Sequence, residues 1–447
     1  MFENIIAQDA SLQLCDDIKS NNLAPSMLFF GPPSSGKGSA ALELARILSC
    51  EKSADWNCSC PSCIRHRYLL HNDLLIAGPR AFSAEIAASA AAFLREPSVP
   101  SVKLLFIRSL RKLTARFSPV LWEDDSKFGK FAGHLQSIEE GIAELENPSS
   151  SADPEKTSAA LLKTAFKLES EGISDNIPIN QIRKASYWSR LAPSGKQKTL
   201  ILENAGLMQE GSRNSLLKIL EEPPPTVNII LTAGRKEDIL PTLLSRLRPY
   251  RFIKRSEEKE LEVIRRVFRD TAGENTRAGL SFYLDSFLPQ SNEKLHNLAA
   301  FFITSIARQS ALALKKNGIN EILPELNALG EYCAPIAEKA GYGKVSSAGE
   351  VIPLILAESE NFQARSFSRF IKLCLDTVSF VQRKAGVYPQ SIWNYGIWRK
   401  YAGGADAAVS VWKQSPALSL ENFFYRMIES FSNSERRMEL SGVSLNE

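Results

Sequence analysis

A glycine-rich loop that could hold phosphate lies near the start of the chain. It fits the pattern G-x-x-x-x-G-K, in which glycines let backbone N–H groups turn inward around phosphate oxygens. The helix that follows adds the positive end of its dipole, and Lys37 adds a charge. The sequence therefore predicts a nucleotide-shaped pocket, and its residues are Gly31, Pro32, Pro33, Ser34, Ser35, Gly36, Lys37, Gly38 and Ser39.

This loop lacks the hydroxyl that usually binds the metal ion of a nucleotide. A working loop carries Ser or Thr after the lysine, because that hydroxyl coordinates Mg²⁺. This chain has Gly38 there, followed by Ser39. One residue along a helix is a rotation of about 100°, so we expect the Ser39 hydroxyl to point elsewhere. The motif predicts a pocket shaped for ATP but poorly equipped for Mg²⁺.

The acidic residues expected in an active phosphate-loop ATPase are also altered. One carboxylate normally completes the metal shell and a second polarises water. In the segment TLILENAGLM these positions hold Glu203 and Asn204, and an amide cannot accept a proton from water. Glu203 could still reach a metal, and Glu221 or Glu222 could compensate for the missing carboxylate. Together with Gly38, this departure favours a weak or inactive ATPase.

Two further polar residues could act on a nucleotide. Thr232 ends the apolar segment VNIILT, where a hydroxyl could sense a γ-phosphate. Arg246 follows a short predicted helix, and an arginine there could be offered to the γ-phosphate bound by a neighbouring subunit. On position alone, an arginine at a helix end more often caps the helix or faces solvent.

Four of the seven cysteines are crowded together just after the helix of the loop, at Cys50, Cys58, Cys60 and Cys63. Four thiolates at short spacing can close a tetrahedral Zn²⁺ site, which then replaces a core in a small module. The spacing Cys58-x-Cys60 is tighter than the usual C-x₂-C, so ligation by His66 in place of one cysteine is the alternative. The odd cysteine count favours metal binding in a reducing compartment over disulfides.

Apolar segments and helical patterns alternate around these residues. The helix through Ser212–Glu222 stops at a run of three prolines, which cannot continue a helix. Continuous apolar strands separated by helices predict an α/β domain with a parallel sheet that is covered on both faces. The predicted strands are Ser26–Phe30, Leu74–Ile76, Thr199–Leu202 and Val227–Thr232.

Helical patterns dominate the remainder of the chain. Residues 80–175 are predicted to form a helical insertion, in which Lys103–Phe117 is basic and amphipathic. We expect this helix to pack on its own domain with a solvated basic face, and a contact with DNA or a partner is the alternative. Beyond residue 254, amphipathic helices are interrupted by predicted breaks at Gly341–Gly343 and at Gly403 and Gly404. The predicted domains are 1–253, with a zinc module at 50–63, then 254–290 and 291–447.

Length and composition agree with a soluble multidomain protein. The 447 residues suggest about three domains, and the net charge of +4 is too small to indicate nucleic-acid binding by itself. The first residues do not resemble a signal peptide, and there is no apolar run of about 18 residues. We therefore expect a cytoplasmic protein without a membrane partner.

Together, these motifs resemble one family, the bacterial clamp-loader ATPases of DNA polymerase III, which include delta-prime and gamma/tau subunits. FFGPPSSGKGSAALELARILSC is similar to the family's phosphate-loop helix leading into its first zinc cysteine, and NCSCPSC to its cysteine knuckle with one residue lost. GSRNSLLKILEEPPPTVNIILTA is similar to its A-x-N-x-L-L-K-x-L-E-E-P-P segment. LLSRLRPYRF resembles its S-R-C motif, with Leu247 in place of cysteine. The resemblance covers residues 1–80, residues 176–255 and, more weakly, the last helix.

The resemblance implies an AAA+ module, a small helical lid and a helical collar that joins five subunits in a ring. Delta-prime subunits typically lose catalytic residues but keep the S-R-C arginine, so Gly38, Glu203 and Asn204 beside a retained Arg246 favour delta-prime. The implied role is that of a structural stator. Arg246 would act in trans on ATP in the adjacent subunit while the ring opens a sliding clamp and places it on primed DNA.

Two alternatives from other functional classes stay open at this point. The chain could be an active gamma/tau-like ATPase in which Ser39 and Glu203 take over metal binding. It could also be a stand-alone zinc and phosphate-loop adaptor for nucleic acid that never joins a ring. Turnover by the isolated chain distinguishes the first alternative, and co-purification with other subunits distinguishes the second.

Overall fold

A computed structural model describes residues 1–147, 153–271, 279–288, 292–316, 348–360, 362, 364–385, 395–412 and 414–440. The chain divides into two compact units, Met1–Leu288 and Pro289–Glu447. The predicted break at Gly341–Gly343 and the isolated Cys333 lie outside the described residues.

A five-stranded sheet forms the centre of the first unit, with strand order β2-β3-β4-β1-β5. Every pairing in it is parallel, so the prediction of a parallel α/β sheet is confirmed. The strands are β1 (Ser26–Phe30), β2 (Leu74–Ala77), β3 (Lys198–Leu202), β4 (Val227–Ala233) and β5 (Arg248–Arg251).

The edge strand β5 has no counterpart among the strands predicted from the sequence. Its residues read RPYR, and only Tyr250 is buried. Pro249 cannot donate to a neighbouring strand, but an edge strand tolerates proline because one of its sides is unpaired. β5 is therefore recognisable from its pairing with β1 and not from apolar periodicity.

Helices cover both faces of the sheet. Met27 and Phe29 of β1 join an apolar cluster on one face, whereas Leu28 joins a cluster on the other, because successive side chains of a strand point to opposite faces. The helices of this unit are α1 (Asp9–Lys19), α2 (Lys37–Ser49), α3 (Pro61–Arg67), α4 (Ser83–Arg95), α5 (Pro100–Thr114), α6 (Pro119–Trp122), α7 (Ala132–Glu146), α8 (Pro154–Gly172), α9 (Ile179–Arg190), α10 (Glu210–Glu221), α11 (Pro241–Leu244), α12 (Glu257–Val267) and α13 (Leu280–Ser286).

The helical segment 80–175 has an apolar core of its own, and its basic helix α5 differs from the prediction. The prediction of a solvated basic face is wrong. Arg108 donates to the carbonyl oxygens of His66 and Arg67, and Arg111 lies 3.6 Å from the carboxylate of Glu146. These cations meet carbonyls and carboxylates because α5 is enclosed by neighbouring elements, which a helical periodicity cannot reveal.

Helices α12 and α13, which were predicted to form a small separate domain, pack against α4. Ile264 and Leu280 share an apolar cluster with Ala88 and Ala92. Arg95 of α4 donates to the carbonyl oxygen of Phe268 at 2.9 Å. These contacts hold α12 and α13 against the helical segment, and the predicted boundaries at residues 254 and 290 stay predictions.

The described residues of the second unit are helical, as predicted. The predicted break at Gly403 and Gly404 is wrong, because one helix runs through both glycines. Each interior glycine costs about 1 kcal/mol relative to alanine, but the buried side chains of Trp398, Ala402 and Val409 hold this helix in the core. The helices are α14 (Asn292–Lys316), α15 (Ala348–Ser359), α16 (Ala364–Ala385), α17 (Tyr395–Ser410) and α18 (Pro416–Leu440).

None of the helices in the described part of the chain combines the length and the hydrophobicity that crossing a bilayer requires.

Trp398 should be one of the largest contributors to the stability of the second unit. It is fully buried, so Trp398→Ala should lower the free energy of unfolding by about 3–5 kcal/mol. Trp412→Ala is the matched control, because Trp412 is 66% exposed. Denaturant unfolding followed by circular dichroism measures both, and equal effects of the two substitutions would contradict the described core.

Candidate nucleotide site and cysteine cluster

The phosphate loop connects the carboxyl end of β1 to the start of α2 at Lys37. Its backbone requires glycine at two points. Gly31 and Gly36 have positive φ angles of 151° and 95°, and a Cβ on Gly31 would lie 2.1 Å from the carbonyl oxygen of Phe252. These two glycines therefore permit the turn, which is followed by the first turn of a helix.

Lys37 donates to the loop itself. Its Nζ lies 2.6 Å from the carbonyl oxygens of both Gly31 and Pro32 and 3.3 Å from Ser35 Oγ. Burial lowers the pKa of Lys37 to about 8, and the charge of Glu203 opposes part of this shift. The ammonium group thus occupies the hollow of the loop with the loop's own carbonyls as its partners.

Arg255 ties the loop to a segment at the start of the chain. Its Nε donates to the carbonyl oxygen of Ile6 and its Nη1 to that of Ser34, both at 2.8 Å. Ser281 of α13 contacts the same part of the loop, with 3.0 Å between its Oγ and Ser34 Oγ. The loop is consequently fastened on two sides.

The residues after β3 meet the loop at the same edge of the sheet. Glu203 Oε1 lies 3.2 Å from the place that a Cβ on Gly38 would occupy, and Oε2 accepts from Arg116 Nη2 at 2.6 Å. The backbone N–H of Asn204 donates to Thr232 Oγ1 at 3.0 Å. The structure thus brings Glu203 to Gly38 and Asn204 to Thr232.

These side chains do not fit Mg²⁺. Residue 38 provides no hydroxyl, Ser39 is exposed, and Asn204 replaces a carboxylate. The remaining candidate ligand, Glu203, already neutralises a buried arginine. Mg²⁺ at nucleotide sites is bound through one or two carboxylates together with the phosphates, and the one carboxylate of this set is engaged by Arg116.

An open depression of about 530 Å³ lies beside the loop at the carboxyl ends of β1 and β4 and next to β5. Four cations and one carboxylate line it, so its surface favours anions. The charged lining residues are Arg235, Lys236, Glu237, Arg251 and Lys254.

Arg246 lies just after α11 and away from these contacts. Its Nη2 donates to Glu221 Oε1 at 2.8 Å, and its Nη1 donates to the carbonyl oxygen of Thr242 and to Ser245 Oγ. None of these partners belongs to the phosphate loop. The side chain of Arg246 is 34% exposed, so part of it is accessible at the surface of this chain.

The four predicted cysteines form one buried cluster. All four Sγ atoms lie within 4.8 Å of one another, and Cys50 Sγ is 3.7 Å from Cys58 Sγ and 3.9 Å from Cys60 Sγ. Four sulfurs about 2.3 Å from a central Zn²⁺ would be separated by roughly 3.8 Å. The cluster therefore fits zinc, held by Cys50, Cys58, Cys60 and Cys63, which would cross-link the module that contains α3.

Hydrogen bonds favour the thiolate form of Cys60, whereas burial raises the pKa of Cys63. Backbone N–H groups donate to Cys50 Sγ and Cys60 Sγ at 3.2–3.4 Å. Burial alone would raise the pKa of Cys60, but backbone hydrogen bonds at Glu51 and Cys63 outweigh it and lower the pKa to about 6. Arg46 Nη1 lies 3.1 Å from Cys63 Sγ, so a buried cation balances part of the sulfur charge.

His66, the alternative ligand, is not one of the clustered groups. Its ring stacks on that of His71 with 4.1 Å between centroids. Burial lowers the pKa of His66 to about 3, so this side chain is neutral at physiological pH.

A protein-family model described as "DNA polymerase III, delta subunit" matches residues 6–120 and 145–256, just over half of the chain. The chain belongs to this clamp-loader family. The match extends through residues 80–120 and 145–175, which the sequence motifs leave outside the resemblance. Only residues 121–144 separate the two matched segments, so most of the helical segment belongs to the family's own pattern.

One similar solved structure is a DNA polymerase III gamma subunit-related protein from Thermotoga maritima. It is 18% identical, with a TM-score of 0.30, and the alignment covers 62% of this chain and 90% of that one. No curated protein matches the chain.

Three buried arginines of this clamp-loader protein were not assigned to the site from its sequence. The sequence places Arg116 on the basic face of a predicted helix, and its partner Glu203 is 87 residues away. Arg255 follows β5 without any motif. The sequence does contain a local pattern for Arg46, because Glu43 lies three residues before it on the same helix. The two side chains form a buried ion pair on α2.

Zinc should be bound in one equivalent per chain and lost when a ligand is removed. Cys63→Ser should remove most of the zinc and lower the thermal midpoint, because metal binding contributes folding energy to small modules. Cys15→Ser is the control, since Cys15 lies outside the cluster. Plasma mass spectrometry measures the metal, and zinc retained unchanged in Cys63→Ser would argue against a four-cysteine site.

Lys37 should react with amine-directed reagents at unusually low pH. Its pKa of about 8 lies below the ordinary 10.5, so a neutral amine is abundant at pH 9. Lys184 is the comparison, because hydrogen bonds to Asp124 and Glu123 raise its pKa. Pulsed acetylation read by mass spectrometry should label Lys37 first, and equal labelling of both residues would refute the shift.

The unfavourable charge of Lys37 costs stability below pH 8, and this cost disappears as pH rises towards 10.5.

Proposed function

We propose that this chain is a delta-prime-like stator of a bacterial clamp loader. It would contribute Arg246 to the ATP site of a neighbouring subunit and would not hydrolyse ATP itself. The observation that carries the proposal is a contrast between two arginines. Arg246 is accessible and has mostly exposed partners, whereas Arg116 is buried against Glu203, the carboxylate that an ATPase would use for its metal.

The fastening of the loop supports a stationary subunit. In an active ATPase of this fold the lid and the loop respond to the nucleotide, which requires contacts that can open. Here Arg255 and Ser281 fasten the loop, and Arg95 ties the end of α12 to α4 through Phe268. These contacts favour one fixed arrangement of α12 and α13.

Family membership supports the remaining parts of the proposal. The helical second unit would be the collar that joins this subunit to the others in a five-membered ring, with residues 254–290 as the lid and zinc in the cysteine module. The ring would open a sliding clamp and place it on primed DNA in the cytoplasm. ATP binding by this chain is not needed for that role.

The two alternatives are less well supported by the contacts. A gamma/tau-like ATPase would need Ser39 and Glu203 as metal ligands, but Ser39 is exposed and Glu203 is paired with Arg116. A stand-alone nucleic-acid adaptor would use free cations, whereas Arg108 and Arg111 of α5 are engaged within the chain.

Arg246→Ala should impair a reconstituted clamp loader without weakening its assembly. Turnover at the neighbouring ATP site should fall by about 10³-fold, the size of an arginine-finger effect. Single-turnover ATP hydrolysis measures this in a ring where only the neighbouring site is active. Arg248→Ala is the matched control, because Arg248 is also partly exposed and ion-paired, with Asp17, but lies on the edge strand β5.

Three results would contradict the stator role. They are Mg²⁺-dependent turnover by the isolated chain that Lys37→Ala abolishes, unchanged hydrolysis in the Arg246→Ala ring, and failure of the chain to co-purify with any other clamp-loader subunit.

A further inference from the structure

Arg116 and Glu203 form a buried ion pair at the position where a nucleotide-bound metal ion would require a free carboxylate. Arg116 Nη2 lies 2.6 Å from Glu203 Oε2, and the two side chains are 4% and 23% exposed. The other carboxylate oxygen is directed towards Gly38, 3.2 Å from the place of a Cβ there. One oxygen of Glu203 is therefore committed to a cation, and the other lies beside the start of α2.

Two glycines lie against this pair. A Cβ on Gly38 would crowd Glu203 Oε1, as described above. A Cβ on Gly78, which follows β2, would lie 2.9 Å from Glu203 Cβ and 3.5 Å from Arg116 Nη2. Gly78 is thus the glycine whose missing side chain leaves space for the pair, whereas a Cβ on Gly38 would require only a small shift of the Glu203 carboxylate.

Apart from Glu203, the guanidinium of Arg116 contacts an aromatic ring. It lies over the ring of Phe82, 5.1 Å from the centroid, and its backbone carbonyl accepts from Trp122 Nε1 at 2.7 Å. Its Nε and Nη1 are buried without a hydrogen-bond partner among the described residues. Glu203 is therefore the group that balances this buried charge.

We infer that Arg116 is a built-in cation that takes the place of the divalent metal at the phosphate loop. A metal ion at Glu203 would have to share one carboxylate with an adjacent guanidinium, and like charges in a partly buried site repel strongly. Any phosphate-bearing anion that binds this loop would then bind without a metal ion. This inference goes beyond the stator role and does not involve Arg246.

The test compares ATP binding with Mn²⁺ and with chelator, by equilibrium dialysis of the full-length chain. Arg116→Met removes the charge and keeps an apolar stem, and Arg116→Lys keeps the charge. Mn²⁺ should not tighten ATP binding to the wild type or to Arg116→Lys. A complete lack of ATP binding by these two proteins would agree with the same expectation. In Arg116→Met, Mn²⁺ should tighten ATP binding about tenfold or more. Changes of this size are seen when groups around a metal site are altered. The double variant Arg116→Met/Glu203→Gln should lose that gain.

Two outcomes would overturn the inference. One is a folded Arg116→Met chain, checked by circular dichroism, that gains no response to Mn²⁺. The second outcome is measured without any Arg116 variant, so it remains decisive if Arg116→Met misfolds. If Mn²⁺ tightens ATP binding to the wild type about tenfold and Glu203→Gln abolishes the effect, Glu203 is a metal ligand. If the inference is correct, Mn²⁺ changes ATP binding neither in the wild type nor in Glu203→Gln.

Discussion

The parallel pairing of β1 with β4 is the constraint from which the site follows. It places Phe30 opposite Ala233, while β4 also pairs with β3 so that Leu202 lies opposite Leu231. Parallel strands end at one edge of a sheet, and ligands of such folds bind at that edge. The phosphate loop, Glu203 and Thr232 all follow or end these strands, so one register brings together groups that are far apart in sequence.

The ion pair of Arg116 and Glu203 depends on the same register. A buried salt bridge is weak grounds for extra stability, because desolvation of both charges offsets their attraction. Its removal from one side is costly, since the remaining charge is left without a partner. The pair therefore joins the residues just after α5 to the residue just after β3, and it neutralises the carboxylate that an ATPase keeps free for its metal.

Local patterns in the sequence were sufficient for the strands β1 to β4, the phosphate loop and the cysteine cluster. Each of these depends on residues that are close in sequence, such as the glycines of the loop or the spacing from Cys50 to Cys63. The interpretation failed where a partner lies far along the chain. Arg116 and Arg108 look like solvated cations on a helical wheel, but Glu203 and the carbonyl oxygen of Arg67 accept from them. Gly403 and Gly404 mislead for the same reason, because burial of Trp398 holds the helix across them.

The helix α2 joins the two candidate sites of the first unit into one mechanical element. It begins at Lys37 in the phosphate loop, and Cys50 caps its other end. At 1.5 Å per residue this helix is about 20 Å long, and Arg46 near its end bonds to Cys63. One helix therefore fixes the distance between the phosphate loop and the cysteine cluster.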